Sequence, residues 1–210
     1  MSGTTFLHAL AVAALLALPA CTPASPPTKD DPMSRAPAPA DKFNLQPVKE
    51  WPLKFDSHSF SAFTYDTYGA RVVYAGLQQR NDEPDVLQKS SASYGPNYRK
   101  NWAGTHAQIR NFPAPAKVSW RSKDGTPHET EIDIAALFAD EVIRHNVARE
   151  DVSDLPDGEH RSEPSILMEI NDRTIRIYMR AMIYTRELQE PGNRYSGFRH
   201  DLVLVDSRTY

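Results

Sequence analysis

Thr174-Ile175-Arg176-Ile177-Tyr178-Met179-Arg180-Ala181-Met182-Ile183-Tyr184 is the stretch that decides the fold. Ile175, Ile177, Met179, Ala181 and Ile183 fall on one side of an extended chain, and Arg176, Tyr178, Arg180, Met182 and Tyr184 on the other. A period of two held over this length is a β-strand with one buried face, and buried-in, polar-out alternation belongs to antiparallel sheets. The Arg-Tyr-Arg row reads as the solvent side. Ser165 to Ile170 is the partner strand, joined through Asn171-Asp172-Arg173.

Outward from this pair, the pattern repeats. Phe55 to Tyr65 and Ala70 to Leu77 are aromatic and β-branched, with Asp66 to Gly69 expected as the turn between them. Thr105 to Ile109 is a short strand that ends before Phe112-Pro113-Ala114-Pro115. Lys117 to Arg121 and His128 to Ile134 form a hairpin whose Asp124-Gly125 pair supplies the positive φ of the turn. Val118 and Trp120 share a face there, opposed by Ile132 and Ile134. Ile134, Leu137, Phe138 and Val142 recur at helical spacing and predict one helix from Ile134 to His145, with Asp133 as N-cap. Leu202 to Val205 carries no polar alternation, which predicts a closing strand within Phe198 to Val205 that is central or covered on both sides. The expected fold is α+β: a mainly antiparallel, sandwich-like β-domain over residues 43–210, with one packed helix.

Three segments lie between these elements. Gln78 to Gly104 has no apolar period, and a loop of that length in a compact domain is more often functional than connective. Its Tyr94, Tyr98, Arg99 and Trp102 are the residue types enriched at interface hot spots, although aromatic residues near a loop end also fold back onto a core. Asn146 to Pro164 is acidic. Its Asp151, Asp154, Asp157 and Glu159 read either as a solvated face or as carboxylates that steer a basic partner. Glu187 to Gly197 is the third loop.

The N-terminus sets location. Ten apolar residues, Ala9 to Leu18, precede Pro19-Ala20-Cys21. A run of about ten is too short for a bilayer core that needs roughly 20 helical residues. The layout is that of a lipoprotein signal over residues 1–20, with Cys21 the lipidated residue, against the alternative of an ordinary secretory signal. Cys21 is the chain's one cysteine, so no internal disulfide competes for it. Residues 21–42 form a Pro-rich tether, with Pro23, Pro26, Pro27, Pro32, Pro37 and Pro39, too poor in apolar residues to fold. At ~3 Å per residue it reaches up to about 60 Å. Thr22, not Asp, after the cysteine points to the outer membrane. The expected location is the periplasm, lipid-anchored.

Formal net charge is −3, with both signs mixed among 24 % charged residues, which does not mark a nucleic-acid binder. No Gly-x-Ser-x-Gly elbow, Gly-rich phosphate loop or His-Glu-x-x-His is present, and His58, His106, His128, His145, His160 and His200 are scattered singly. The sequence predicts no enzyme activity, no metal and no cofactor.

The lipobox and proline-rich tether precede a β-rich domain containing Phe112-Pro113-Ala114-Pro115-Ala116-Lys117-Val118-Ser119-Trp120-Arg121, Pro164-Ser165-Ile166-Leu167-Met168-Glu169-Ile170-Asn171-Asp172-Arg173-Thr174 and Phe198 to Val205. Together they resemble periplasmic immunity lipoproteins directed against type VI secretion lipase effectors. The resemblance implies a toxin inhibitor whose partner is a cognate phospholipase, and it carries over no site residue. The rival readings are a structural or assembly lipoprotein of the envelope and a hydrolase with an unrecognised site.

Overall fold

The computed structural model describes residues 46–155 and 160–210. In chain order its elements are β1 (Ser57–Tyr65), β2 (Thr67–Tyr74), β3 (Leu77–Asn81), β4 (His106–Arg110), β5 (Ala116–Ser122), β6 (Pro127–Ile132), α1 (Ile134–Leu137), β7 (Ser165–Asn171), β8 (Thr174–Arg180), β9 (Ile183–Tyr184), β10 (Phe198–Arg199) and β11 (Leu202–Thr209). One sheet has the order β11-β8-β7-β1-β4, a second β3-β2-β5-β6, and β9 pairs with β10. All pairings are antiparallel except β1 with β7, which run parallel.

The inward rows of the two large sheets meet in a single core. Phe60, Ala62, Ile166, Met168, Ile170, Ile175, Ile177 and Met179 come from the five-stranded sheet, and Val72, Tyr74, Val118, Trp120 and Ile132 from the four-stranded one. Fully burying one such side chain contributes roughly 1.5–3 kcal/mol over leaving it in water, so alternation on two sheets is enough to fix which faces pack. Trp120 also ties the layers, because its indole Nε1 donates to the Asp172 carbonyl at 2.7 Å.

Two polar side chains, His58 and Thr64, sit in the inward row of β1. His58 is fully buried, with Nδ1 2.9 Å from Asn111 Oδ1 and Nε2 3.1 Å from the Tyr74 hydroxyl. Asn111 Nδ2 donates to the Phe55 carbonyl, which leaves Oδ1 as an acceptor and so places the ring proton on Nδ1. Burial lowers the His58 pKa, and the Asn111 hydrogen bond only partly opposes that shift.

The local expectations need five corrections. β1 and β2 do not form a hairpin: Asp66, at φ 52°, is the single joint, and the chain passes there from one sheet to the other. The helix is one turn, not twelve residues. Asp133 caps it by accepting from Ala136 N at 3.0 Å, but beyond Phe138 the chain is taken for pairing with Leu53–Phe55. Ile143 N donates to the Leu53 carbonyl and Phe55 N to the Glu141 carbonyl, so tertiary hydrogen bonds override helical propensity. β8 stops at Arg180, with Ala181 and Ile183 still buried beyond it. Among the described residues β11 is an edge strand, neither central nor covered on both sides, with Leu204 52 % exposed and a bulge between Leu204 and Asp206. Bulges and charges such as Asp206 and Arg208 are how edges resist uncontrolled pairing. Part of the expected first loop is also strand, since Leu77–Asn81 pairs with β2.

Candidate functional site

The outward row of the five-stranded sheet is closed to solvent around Glu169, because residues 91–104 lie across it there, and stays open toward Arg176 and β11. The segment starts with a 3-10 turn, Ser91–Tyr94, whose N-cap Ser90 accepts from Ala92 N. Two further turns follow, Lys100 N to the Asn97 carbonyl at 2.8 Å and Trp102 N to the Arg99 carbonyl at 3.2 Å. Trp102 stacks on Phe63 with centroids 4.2 Å apart and planes 3° from parallel, and meets the rings of Tyr98 and Tyr178 edge-on. Together with Tyr65 and Leu167 these residues make a second apolar cluster outside the main core. The segment leaves through Gly104, where a Cβ would stand 2.1 Å from Ser59 Oγ; only glycine allows so close an approach.

Beneath this cover lies Glu169, on β7, with no solvent exposure. Moving a carboxylate out of water costs several kcal/mol, so its oxygens must be well served. They are. Tyr98 donates to Oε1 at 2.6 Å and Tyr178 to Oε2 at 3.1 Å, and Asn171 Nδ2 reaches Oε1 at 3.4 Å. Arg99 adds Nη2 to both oxygens, at 3.1 and 2.8 Å, and Nε to Oε2 at 3.2 Å. Such charge-assisted, forked contacts are about twice as strong as neutral ones. Burial, then the hydrogen bond to Glu169, pushes the Tyr98 phenol up to about 12. Burial, then the charge of Glu169, does the same to Tyr178, also to about 12. Burial alone lowers Arg99, but the Glu169 hydrogen bond and charge more than offset it and the net shift is upward.

A second arginine pins the cover from below. Arg180 donates Nη2 to the Arg99 carbonyl at 3.1 Å, Nη1 to the Lys100 carbonyl at 3.0 Å, and Nη1 to the Trp102 carbonyl. A third, Arg176, stands 3.7 Å from Glu169 Oε2, beyond hydrogen-bond range, with 31 % of its side chain exposed. Around Glu169 the row that alternation assigns to solvent is therefore a polar floor roofed by its own loop.

The residues singled out in the sequence divide accordingly. Tyr98, Arg99 and Trp102 converge over Glu169. Trp102 is buried at 5 % exposure and belongs to the cluster, whereas Tyr94 is 57 % exposed and touches Tyr65 edge-on. Asp151 is exposed in a 3-10 turn, and Asp154 is paired with Lys49 at 3.2 Å. Among the described residues, neither aspartate contacts the Glu169 cluster. Cys21, Asp157 and Glu159 lie outside the described residues. Glu169 is not among the residues the sequence singles out, whereas Tyr178 and Arg180 stand in the Arg176-Tyr178-Arg180 row, read first as a solvent face and only after the two loops as a contact surface. The signal for Glu169 was a lone carboxylate inside the otherwise apolar run Ile166 to Ile170.

Two other polar groupings bear on chemistry. Ser122 Oγ lies 3.0 Å from His128 Nε2 and donates to Asp124 Oδ1 at 2.6 Å. The serine's only proton is thus directed at the aspartate and Nε2 donates to the serine, the reverse of base activation; Ser122 is also fully buried. A cleft of about 1180 Å³ between residues 48–57 and 160–164 mixes Lys49 and Arg161 with Glu50 and Glu163, so its walls select no single charge. No family model, curated protein or solved structure matches this chain, so its role is read from the residues gathered around Glu169.

Proposed function

We propose that the chain is a binding protein of the bacterial envelope. It is lipid-anchored through Cys21, held in the periplasm at the outer membrane by its Pro-rich tether, and it neutralises a type VI secretion lipase effector without doing chemistry itself. The observation that carries this reading is the pinned segment 91–104. It presents Tyr94, and the outer part of Arg99 with 33 % of its side chain in water, from a loop already ordered by Glu169, Arg180 and Trp102. A preorganised loop forfeits little entropy on binding, and Tyr and Arg supply large contacts from few rotors. Anchoring at the membrane raises the local concentration of an inhibitor where a phospholipase must work.

The test is inhibition. Full-length protein added to the lipase effector encoded beside its gene should stop phospholipid hydrolysis near equimolar ratio. Tyr94→Ala, whose side chain is exposed and leaves the fold intact, should weaken binding by about 2 kcal/mol. Cys21→Ala should abolish membrane fractionation. Undiminished hydrolysis with the inhibitor in excess overturns the reading.

A further inference from the structure

We infer that the β11 edge, with the uncovered part of the arginine face beside it, takes up an extended carboxylate-bearing segment of a partner protein as an added strand. This rests on the reading of the chain as a binding protein and names the partner's chemistry. On the outward rows of β1, β7, β8 and β11 the charged residues are Glu169, Arg176 and Arg180, and Arg99 reaches in from the cover. Three guanidinium groups therefore face one carboxylate. That carboxylate is fully engaged by Tyr98, Arg99 and Tyr178, and Arg180 is spent on backbone carbonyls. Arg176 is the one of the three with no hydrogen bond to Glu169 or to the cover.

Register shows where its donors can go. Across from Arg176 on β11 stands Ser207, exposed and short; across from Tyr178 stands Leu204, 52 % exposed. Among the described residues β11 is the last strand of its sheet. Strands lie about 4.8 Å apart, so an added strand runs about 10 Å from β8. A Glu or Asp side chain opposite Ser207 and the Arg176 side chain span that gap over the serine. Leu204 and Ser207 are three apart on β11 because of the bulge between Leu204 and Asp206, while their partners Tyr178 and Arg176 on β8 are two apart. An added strand that spans the bulge in the register of β8 carries an apolar residue opposite Leu204, two positions from the acidic one and on the same face. The segment recognised therefore has an acidic and an apolar residue two apart, with main-chain hydrogen bonds giving affinity and these two side chains giving choice.

The experiment uses full-length protein in detergent and three probes: a short Thr-rich β-forming peptide with Glu and Leu two residues apart, the same peptide with Lys for Glu, and phosphatidylglycerol vesicles. Hydrogen exchange should slow over 202–209 with the Glu peptide and not with the Lys peptide. Arg176→Gln, and separately Ser207→Glu on the exposed edge, should each weaken the Glu peptide about tenfold, the size of one charge-assisted contact. Equal protection by both peptides, no effect of either substitution, or protection of this strand by vesicles alone overturns the proposal. Lipase inhibition by the same variants separates the two levels. Inhibition unchanged by both substitutions moves the contact elsewhere and leaves the binding-protein reading standing. Loss of β11 protection only on substitution, with no inhibition even by the native chain, sinks that reading and keeps the edge.

Discussion

The two outward faces of this sandwich obey the same alternation and end in opposite environments. On the four-stranded sheet, Lys117 opposes Glu131 and Ser119 opposes Glu129, and all four keep contact with water. Lys117 and Glu131 are an opposite-charge cross-strand pair, of the kind that contributes roughly 0.2–1 kcal/mol. On the five-stranded sheet, the equivalent row holds Glu169 at zero exposure under Trp102, Tyr98 and Arg99. A polar row thus shows only that the row is not in the main core. Whether it meets water depends on a segment far away in sequence and on whether that segment brings donors matched to the floor.

The contrast can be broken in graded steps. Trp102→Ala removes the stacked indole that seats the cover and should cost about 3 kcal/mol in urea unfolding. Glu169→Gln keeps the shape but trades the ionised acceptor for a neutral one and should cost about 2 kcal/mol, with Glu129→Gln on the other outward face within about 0.5 kcal/mol. Equal costs for the two carboxylates would erase the distinction between the faces.

The inward face sharpens it through pH. His58 is satisfied as a neutral ring by Asn111 and Tyr74, where Glu169 is satisfied as an ion. Its folded pKa lies below the unfolded value of 6.5, so the unfolded chain takes up the proton first. Stability from His58 is therefore complete above about pH 6.5 and falls as pH drops below it, by at most about 1.4 kcal/mol per unit. Comparing urea midpoints above and below that value, the loss should shrink in His58→Gln. A loss of the same size in the variant assigns it to other groups.

The inward face was legible in the sequence because every strand signals its own burial locally: Ile175, Ile177 and Met179 alternate, as do Ile166, Met168 and Ile170, and the β5–β6 hairpin announces its turn at Asp124-Gly125. What was not legible depends on distant partners. Ile134 to Val142 has helical spacing, yet the chain past Phe138 is claimed by hydrogen bonds to Leu53 and Phe55. The apolar run of β11 reads as central or covered, but among the described residues no further strand pairs with it, and a bulge interrupts its register. The site was half visible. Tyr98, Arg99 and Trp102 stood out by type, whereas their common target, Glu169, looks in isolation like one polar residue in an apolar strand. Nothing periodic in residues 91–104 encodes that they fold back onto it.

The most direct measurement of this account is segment-resolved hydrogen exchange in Glu169→Gln. With the ionised acceptor gone, the cover should open without the sandwich, as a local unit of low stability. Exchange in 97–105, where Lys100 and Trp102 donate to turn carbonyls, should speed up by about tenfold or more for a loss of about 2 kcal/mol, while 117–121 and 175–179 keep the native rates. Acceleration spread evenly over all three segments, or none in 97–105, would contradict a roof held in place by one buried carboxylate.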